Sequence, residues 1–434
     1  MTQFNDKPRE KQIEQLLYQP LTIGKMIVSG RVFKSATSET RATVEGFVTD
    51  ELIDFYLPMA KAKTPLIFTG NLCISKQGHS AGKQASIDAD NKIAGLKTWV
   101  DAIHAQGQTT KLIAQLNHGG RQVVRTNDAD NPVVSASNVM EQSLGTKPRA
   151  LQLNEIPKII DDFVRAAIRA KMAGFDGIQL HFAHGYLISQ FLAPYTNRRN
   201  DLYGGNLDNR MRLPLQIVKA IRQCVGDDFP ILAKVNGTDA LAFRRGATTD
   251  ELVTFAVALQ NEGVDAIEIS RAHYESVPPM LSGSYHGFLK TNIEHGSGIG
   301  FSSTRKKMAL SMSPMIESFL TWSAPKGEGY NMPYVKHFKH ALDIPVIASG
   351  GFVSREVMEN ALINGHSDAI SCARAFIADP YLYHNLYHSE FDYPICQYCN
   401  KCIARLGGMA VDCYEPEMSK KRRVMLDKDI LFKV

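Results

Sequence analysis

The sequence predicts an α/β chain closed into a single (β/α)8 TIM barrel. Eight apolar stretches recur along it, each followed by a segment with helical, amphipathic spacing. The stretches are short and rich in Ile, Leu and Val, and most are bounded by Gly, Pro or polar turns, as strands buried in a parallel sheet are. Alternating β and α units imply a parallel sheet, and eight of them imply closure rather than an open sheet.

The predicted strands cover residues 32–37, 66–72, 111–116, 177–181, 231–235, 266–270, 346–350 and 368–372. Helical periodicity falls at 50–62, 93–105, 156–173, 207–224, 249–262, 332–341, 355–364 and 380–387. The first helix opens on Asp50 and the fifth on Thr249, both residue types that cap helices. Pro214 either kinks its helix or marks a later start. Residues 1–30 form an extension in which 21–32 reads as a hairpin, placed as a plug under the barrel. The barrel proper spans 31–390, and 391–434 form a tail that carries cysteines.

Residues 271–331 form an unusually long connection after the sixth strand. It leaves the barrel at the end where barrel sites are built. It contains Tyr274, Met280, Leu281, Tyr285, Phe288, Phe301, Met308, Met312, Met315, Phe319 and Trp322, apolar side chains that call for burial. A lid over the site is the expectation. A passive insertion, packing on the outer wall and a subunit interface are the alternatives.

With 434 residues, 44% of them hydrophobic, the chain can bury a large core, and α/β barrels of this size are routinely one domain. Lys plus Arg number 49 and Asp plus Glu 44, a net charge of +5 too mild and too dispersed for a nucleic-acid binder. The basic run Lys420, Lys421, Arg422, Arg423 reads as a solvated stretch. No segment approaches the ~18 consecutive apolar residues of a membrane span. The polar N-terminus lacks the apolar core of a signal peptide. Seven cysteines, an odd number, do not suggest a secreted disulfide framework, so the cytoplasm is the default compartment.

The most informative segment is IQLHFAHGYLISQFLAPYTNRRNDLYGGNLDNRMR, residues 178–212. His181 closes the fourth strand, and His184 and Tyr186 follow in the loop. Two imidazoles three residues apart can converge on one small anion or carbonyl oxygen, and a tyrosine two residues on can supply a proton from another side. An isolated His-x-x-His is ordinarily structural, and zinc would need a third ligand that does not stand out nearby.

The surrounding residues decide between these readings. His181-x-Ala183-His184-Gly185-Tyr186-Leu187, Gln190-Phe191-Leu192, Asn197-Arg198-Arg199, Tyr203-Gly204-Gly205 and Asn209-Arg210-Met211-Arg212 closely resemble the old yellow enzyme superfamily. The likeness is to its NADH:flavin oxidoreductase branch, near the flavin domain of 2,4-dienoyl-CoA reductase. It implies FMN as cofactor and NAD(P)H as co-substrate. Ser35, Ala36, Thr37 and Ser38 resemble the first-strand motif that touches the flavin near N5 and O4. Gly70 resembles the end of the second strand beside the flavin, and Gln115 the glutamine that serves the pyrimidine edge. Lys234 falls where a basic residue, more often Arg, faces N1 and O2. Ser349-Gly350-Gly351 and Ala373-Arg374 resemble the phosphate site, although Ala373 replaces the usual Gly.

The resemblance implies a two-step reaction. NAD(P)H gives hydride to flavin N5, and the flavin passes it to the β-carbon of an electron-poor substrate such as an α,β-unsaturated carbonyl compound. His181 and His184 would hold the carbonyl, and Tyr186 would protonate the α-carbon. The alternatives are an oxidative amine or N-methyl dehydrogenase of the trimethylamine dehydrogenase kind, and a flavin-binding redox sensor without turnover. The partner is a small molecule, not nucleic acid or membrane, with a homo-oligomer left open.

Cys396, Cys399, Cys402 and Cys413 resemble the iron–sulfur segment of the 2,4-dienoyl-CoA reductase and trimethylamine dehydrogenase branch. The spacing departs from that branch between the second and third cysteines and before the fourth. Reduced cysteines are the preferred reading, followed by a [4Fe–4S] cluster and then a zinc site.

Overall fold

The computed structural model describes residues 16–106, 109–124, 130–388 and 395–427. The sequence expectations for the extreme N-terminus, and for parts of the C-terminal tail, lie outside the described residues. Eight parallel strands close into a barrel in chain order: Val32–Lys34, Leu66–Cys73, Lys111–Asn117, Gly177–His181, Ile231–Asn236, Ala266–Ser270, Val346–Ser349 and Ala369–Cys372. The α/β TIM-barrel prediction is met. The last strand pairs with the first through Ser371 and Phe33, so no edge is left open.

The hairpin Leu21–Ile23 and Met26–Val28 packs Ile23, Met26 and Val28 against Leu66, Ile113, Leu232, Ala266, Ile347 and Ala369. These residues form an apolar plug inside the barrel. A larger apolar layer joins the barrel's outer face to its helices and includes Trp99, Phe163, Ile217, Phe255 and Phe338. Sealing both layers from water fixes the strands and leaves the loops after them to shape a site.

Element ends differ from expectation in small, explicable ways. The first helix, Asp50–Lys61, is capped by Thr49, whose side chain accepts from the Leu52 N–H, and not by Asp50. Helix Thr249–Asn261 is capped one residue earlier than expected, by Thr248 in a capping box with Glu251. Where two capping residues are adjacent, composition alone does not select one. Pro214 sits inside the continuous helix Leu207–Val225. The segment after the last strand forms two short helices, Arg374–Ala378 and Leu382–Tyr387, rather than one over 380–387.

The insertion contains helices Phe288–His295 and Ser303–Ser323. Tyr274, Met280, Leu281 and Tyr330 face the barrel mouth. The expectation that the whole apolar set is buried fails, because Tyr274, Met308, Met312, Met315, Phe319 and Trp322 are exposed. On helix Ser303–Ser323 the side opposite these methionines carries two tethers, Glu317 and Thr321. The basic run lies on helix Pro416–Asp427, where Lys420 and Arg423 are exposed and Arg422 pairs with Asp412. No helix among the described residues is long and apolar enough to cross a membrane.

Candidate active site

A cavity opens at the C-terminal ends of the barrel strands, and loops from opposite sides of the barrel converge on it. Ser35, Ala36, Thr37 and Ser38 line it, because the chain leaves the sheet after Lys34 instead of extending to Thr37. Gln115, Lys234, Ser349, Gly350, Gly351, Ala373 and Arg374 line it as well. Of the cofactor residues expected from the sequence, only Gly70 does not. Its N–H donates to Glu39 Oε1 and to the Tyr56 hydroxyl, and a Cβ there would stand 1.9 Å from Glu39 Oε2.

His181, His184 and Tyr186 all reach the cavity. His184 and Gly185 take left-handed backbone angles, with φ of 62° and 80°, and this turn brings Tyr186 back beside His181. The positive φ favours glycine at 185, where a Cβ would also push on Gln122 Oε1 at 2.6 Å. The His181 ring stands 4.7 Å from the Tyr186 ring and 4.9 Å from the His184 ring, edge-on to both.

Burial first, and the positive charge of Lys234 next, hold the His181 pKa well below its usual value. Burial, then His181 and Lys234, do the same for His184. One tautomeric arrangement satisfies a neutral pair. The Ala183 N–H donates to His181 Nδ1 at 3.4 Å, so His181 carries its proton on Nε2. That nitrogen lies 3.2 Å from His184 Nδ1, and His184 Nε2 then donates to Ser270 Oγ at 2.7 Å. Backbone contacts hold the pair from behind: the His184 N–H donates to Asn236 Oδ1, and the His184 carbonyl accepts from the Tyr274 N–H. Asn236 is held in turn by Asp239, which also faces His273.

The depressed histidine pKa values fix a pH dependence. In the unfolded chain both rings take up protons as pH falls through 6.5, while the folded chain resists until lower pH. Stability is therefore full above pH 6.5 and is lost below it. Each histidine contributes up to about 1.4 kcal/mol per pH unit to that loss. The urea midpoint should drop more steeply from about pH 6.5 to pH 5 in the wild type than in a His181→Asn, His184→Asn double variant. Parallel curves would show that the rings are not held neutral.

Burial is the main cause of a raised Tyr186 pKa, so the phenol keeps its proton at any working pH. Its oxygen accepts from Asn71 Nδ2 at 3.4 Å.

Beneath the cavity lies a polar network that sequence reasoning missed. Glu268, fully buried in the sixth strand, accepts at Oε1 from Ser35 Oγ at 2.8 Å, Lys234 Nζ at 2.8 Å and Ser371 Oγ at 2.7 Å. Its Oε2 accepts from Gln179 Nε2 at 2.7 Å, and Gln179 Oε1 accepts from Gln115 Nε2 at 2.7 Å. Lys234 also donates to Ser35 Oγ at 2.9 Å. One carboxylate thus orients both the cation and, through Gln179, the amide that line the cavity. Burial alone would raise the Glu268 pKa, but Lys234 and the hydrogen bonds override it and hold the carboxyl below its usual range. The available signal was a carboxylate inside the apolar strand AIEIS, where only the barrel interior could receive it.

At the opposite end, Gly351 has a φ of 73°, and a Cβ there would lie 2.8 Å from the Tyr330 ring. Arg374 donates from Nη1 to the Ser282 carbonyl at 2.7 Å and to Asn400 Oδ1 at 2.6 Å, and from Nη2 to Ser282 Oγ at 3.0 Å. Asn400 belongs to the cysteine segment and Ser282 to the insertion, so both segments fix this guanidinium. Arginine has five N–H donors; Ser282 and Asn400 take three and Tyr330 another, which leaves one for an anion.

The arrangement fits FMN: a cation and an amide at one end for the flavin ring, glycine backbone and an arginine at the other for the phosphate. Burial, and then the neighbouring Cys396, Cys399 and Cys413 together with other charges, leave the Cys402 thiol pushed up to about 12. No group of three or more His, Cys, Asp or Glu among the described residues is arranged to hold a metal ion.

The family model for NADH:flavin oxidoreductases and NADH oxidases matches residues 16–295 and 302–390. The chain belongs to the NADH:flavin oxidoreductase / NADH oxidase family. Membership of this family carries FMN with it and agrees with the motifs read from the sequence. An NADH oxidase of Thermoanaerobacter brockii is 33% identical over 359 residues, 82% of this chain and 48% of that protein. An NADPH dehydrogenase of Listeria welshimeri is 33% identical over 255 residues, 59% of this chain and 72% of that one. A 2-naphthoyl-CoA reductase structure shares the fold at a TM-score of 0.77 and 23% identity, covering 94% of this chain and 58% of that one. The chain spans about half the length of the first curated relatives it matches.

Proposed function

We propose that this family member reduces an activated carbon–carbon double bond, conjugated to a carbonyl group, in a small molecule at the expense of NAD(P)H. The observation that carries the reading is the convergence of two neutral imidazoles and one protonated phenol on a single cavity wall. When bound, FMN supplies hydride transfer between the nicotinamide and the substrate. The protein's own residues do the rest. His181 and His184 would hold a carbonyl oxygen as it gains negative charge, their N–H groups exchanging their present acceptors, His184 Nδ1 and Ser270 Oγ, for it. Tyr186 holds a proton for the carbon next to that carbonyl. Lys234, oriented by Glu268, offers positive charge to the ring end of the cavity. Tyr274, Met280, Leu281 and Tyr330 form an apolar wall that excludes water and limits substrate size.

Oxidation of NADH and of NADPH, each with and without cyclohexenone, tests the reading. Cyclohexenone-dependent turnover without oxygen supports it. Reduction of the enzyme by an N-methyl amine and none by NAD(P)H would replace it with the oxidative alternative. Retention of FMN provides an independent check on the phosphate end. Arg374→Ala should weaken FMN binding to the apoprotein by about 10- to 100-fold, the range for a lost hydrogen bond to a charged group. Fluorescence titration measures it, and an unchanged affinity would place the phosphate elsewhere.

A further inference from the structure

Helix Ser303–Ser323 is built inside out. Of its 21 residues only Glu317 is buried. Glu317 accepts from the backbone N–H groups of Gly287 and Leu289, both at 2.8 Å. Thr321 Oγ accepts from the Tyr285 N–H at 2.9 Å, and Arg305 donates to carbonyls of residues 142–144. All these tethers are polar. The apolar side chains Met308, Met312, Met315, Phe319 and Trp322 face outward, with Met315 64% and Trp322 75% exposed, while Leu310 is exposed on the other side of the helix.

Their spacing is four, three, four, three. At ~100° per residue the five fall within an arc of about 80°, and Glu317 lies about 180° from its centre. A face that packs on a protein core is wider than about 100°, whereas a seam this narrow with a mean period of 3.5 is the geometry of helix pairing. Helices in proteins draw most of their stability from packing an apolar face, so this one calls for a cover.

We infer that this seam pairs with the same seam of a second copy of the chain, the two helices antiparallel. Three observations select this occupant. Between Met308 and Ser323 the positions flanking the seam, Ala309, Ser311, Ile316, Ser318 and Ser323, carry no charge, and the flanking cations Arg305 and Lys307 lie only beyond its N-terminal end. Arg305, Lys306 and Lys307 crowd the N-terminal turn, where a parallel pair would set like charges together. An antiparallel pair brings them to the carbonyl end of the other helix, where cations are favoured. The five side chains expose on the order of 600 Å² per copy, about 1,200 Å² for a pair, which reaches the lower bound for a stable specific interface. A lipid surface fits less well, because Glu317 and Thr321 fasten the side opposite the stripe to the protein and its lysines are confined to the N-terminal turn, at Lys306 and Lys307.

Light scattering after size exclusion, on the full chain with its flavin bound, tests this. The wild type should run at twice 48.1 kDa, and Met315→Glu and Met315→Lys should each run as monomers with unchanged flavin absorbance. Mixing the two variants should restore the dimer, because opposite charges then face across the seam. A wild-type monomer at about 100 μM overturns the inference, as does a dimer that both variants leave intact. Sedimentation of a monomeric wild type with vesicles of phosphatidylserine and phosphatidylcholine would overturn it in favour of a membrane surface.

Discussion

Replacing Tyr186 with Phe should slow reduction of an enone by about 100-fold or more, the usual range for loss of a general acid. The substitution removes one hydroxyl and keeps the ring, whose edge-on packing against His181 at 4.7 Å holds the loop in place. Only a weak donor, Asn71 Nδ2 at 3.4 Å, loses a partner, so the fold should be little affected. Because burial raises the Tyr186 pKa, the proton is present throughout the neutral range and the defect should not depend on pH there. Flavin reduction by NAD(P)H needs no proton from this group and should stay near the wild-type rate. Anaerobic stopped-flow measurement of the two half-reactions separates these effects. Equal slowing of both halves would make Tyr186 a shaper of the pocket and not a proton donor.

The sequence was most legible where local pattern and chemistry coincide. The strand Gly177–His181 announces itself by its apolar residues, and His181, His184 and Tyr186 follow within one turn of chain. Glu268 and Gln179 were missed for a physical reason. Their partners lie 34, 64 and 89 residues away, and only closure of the barrel brings them together. Each looks locally like an imperfection in an apolar strand. Gly70, expected beside the flavin, stands outside the cavity lining, and Glu39 accepts its N–H, a contact no local pattern announces. The stripe on Ser303–Ser323 was visible as apolar residues, but which way a helix faces depends on what tethers it. Here a buried carboxylate set the direction.

Glu268→Leu should destabilise the protein by about 3–5 kcal/mol, the cost of leaving one partner of a buried ion pair alone. The substitution strips Lys234 of its carboxylate and removes the acceptor for Ser35, Ser371 and Gln179 at once. The wild-type contribution has a defined pH window. The folded pKa of Glu268 is lowered from 4.5, so its stabilisation is complete above that pH and fades as pH falls through the folded value. A Lys234→Met, Glu268→Leu double variant should recover much of the loss, since replacing both charges by apolar groups leaves neither uncompensated. Denaturant midpoints for the four proteins of this cycle give the coupling directly. The double variant should still bind FMN through Arg374 while lacking the cation at the ring end, so recovered stability should accompany impaired flavin reduction. If Glu268→Leu unfolds at the wild-type midpoint, the carboxylate is not the member that holds Lys234 and Gln115 in place.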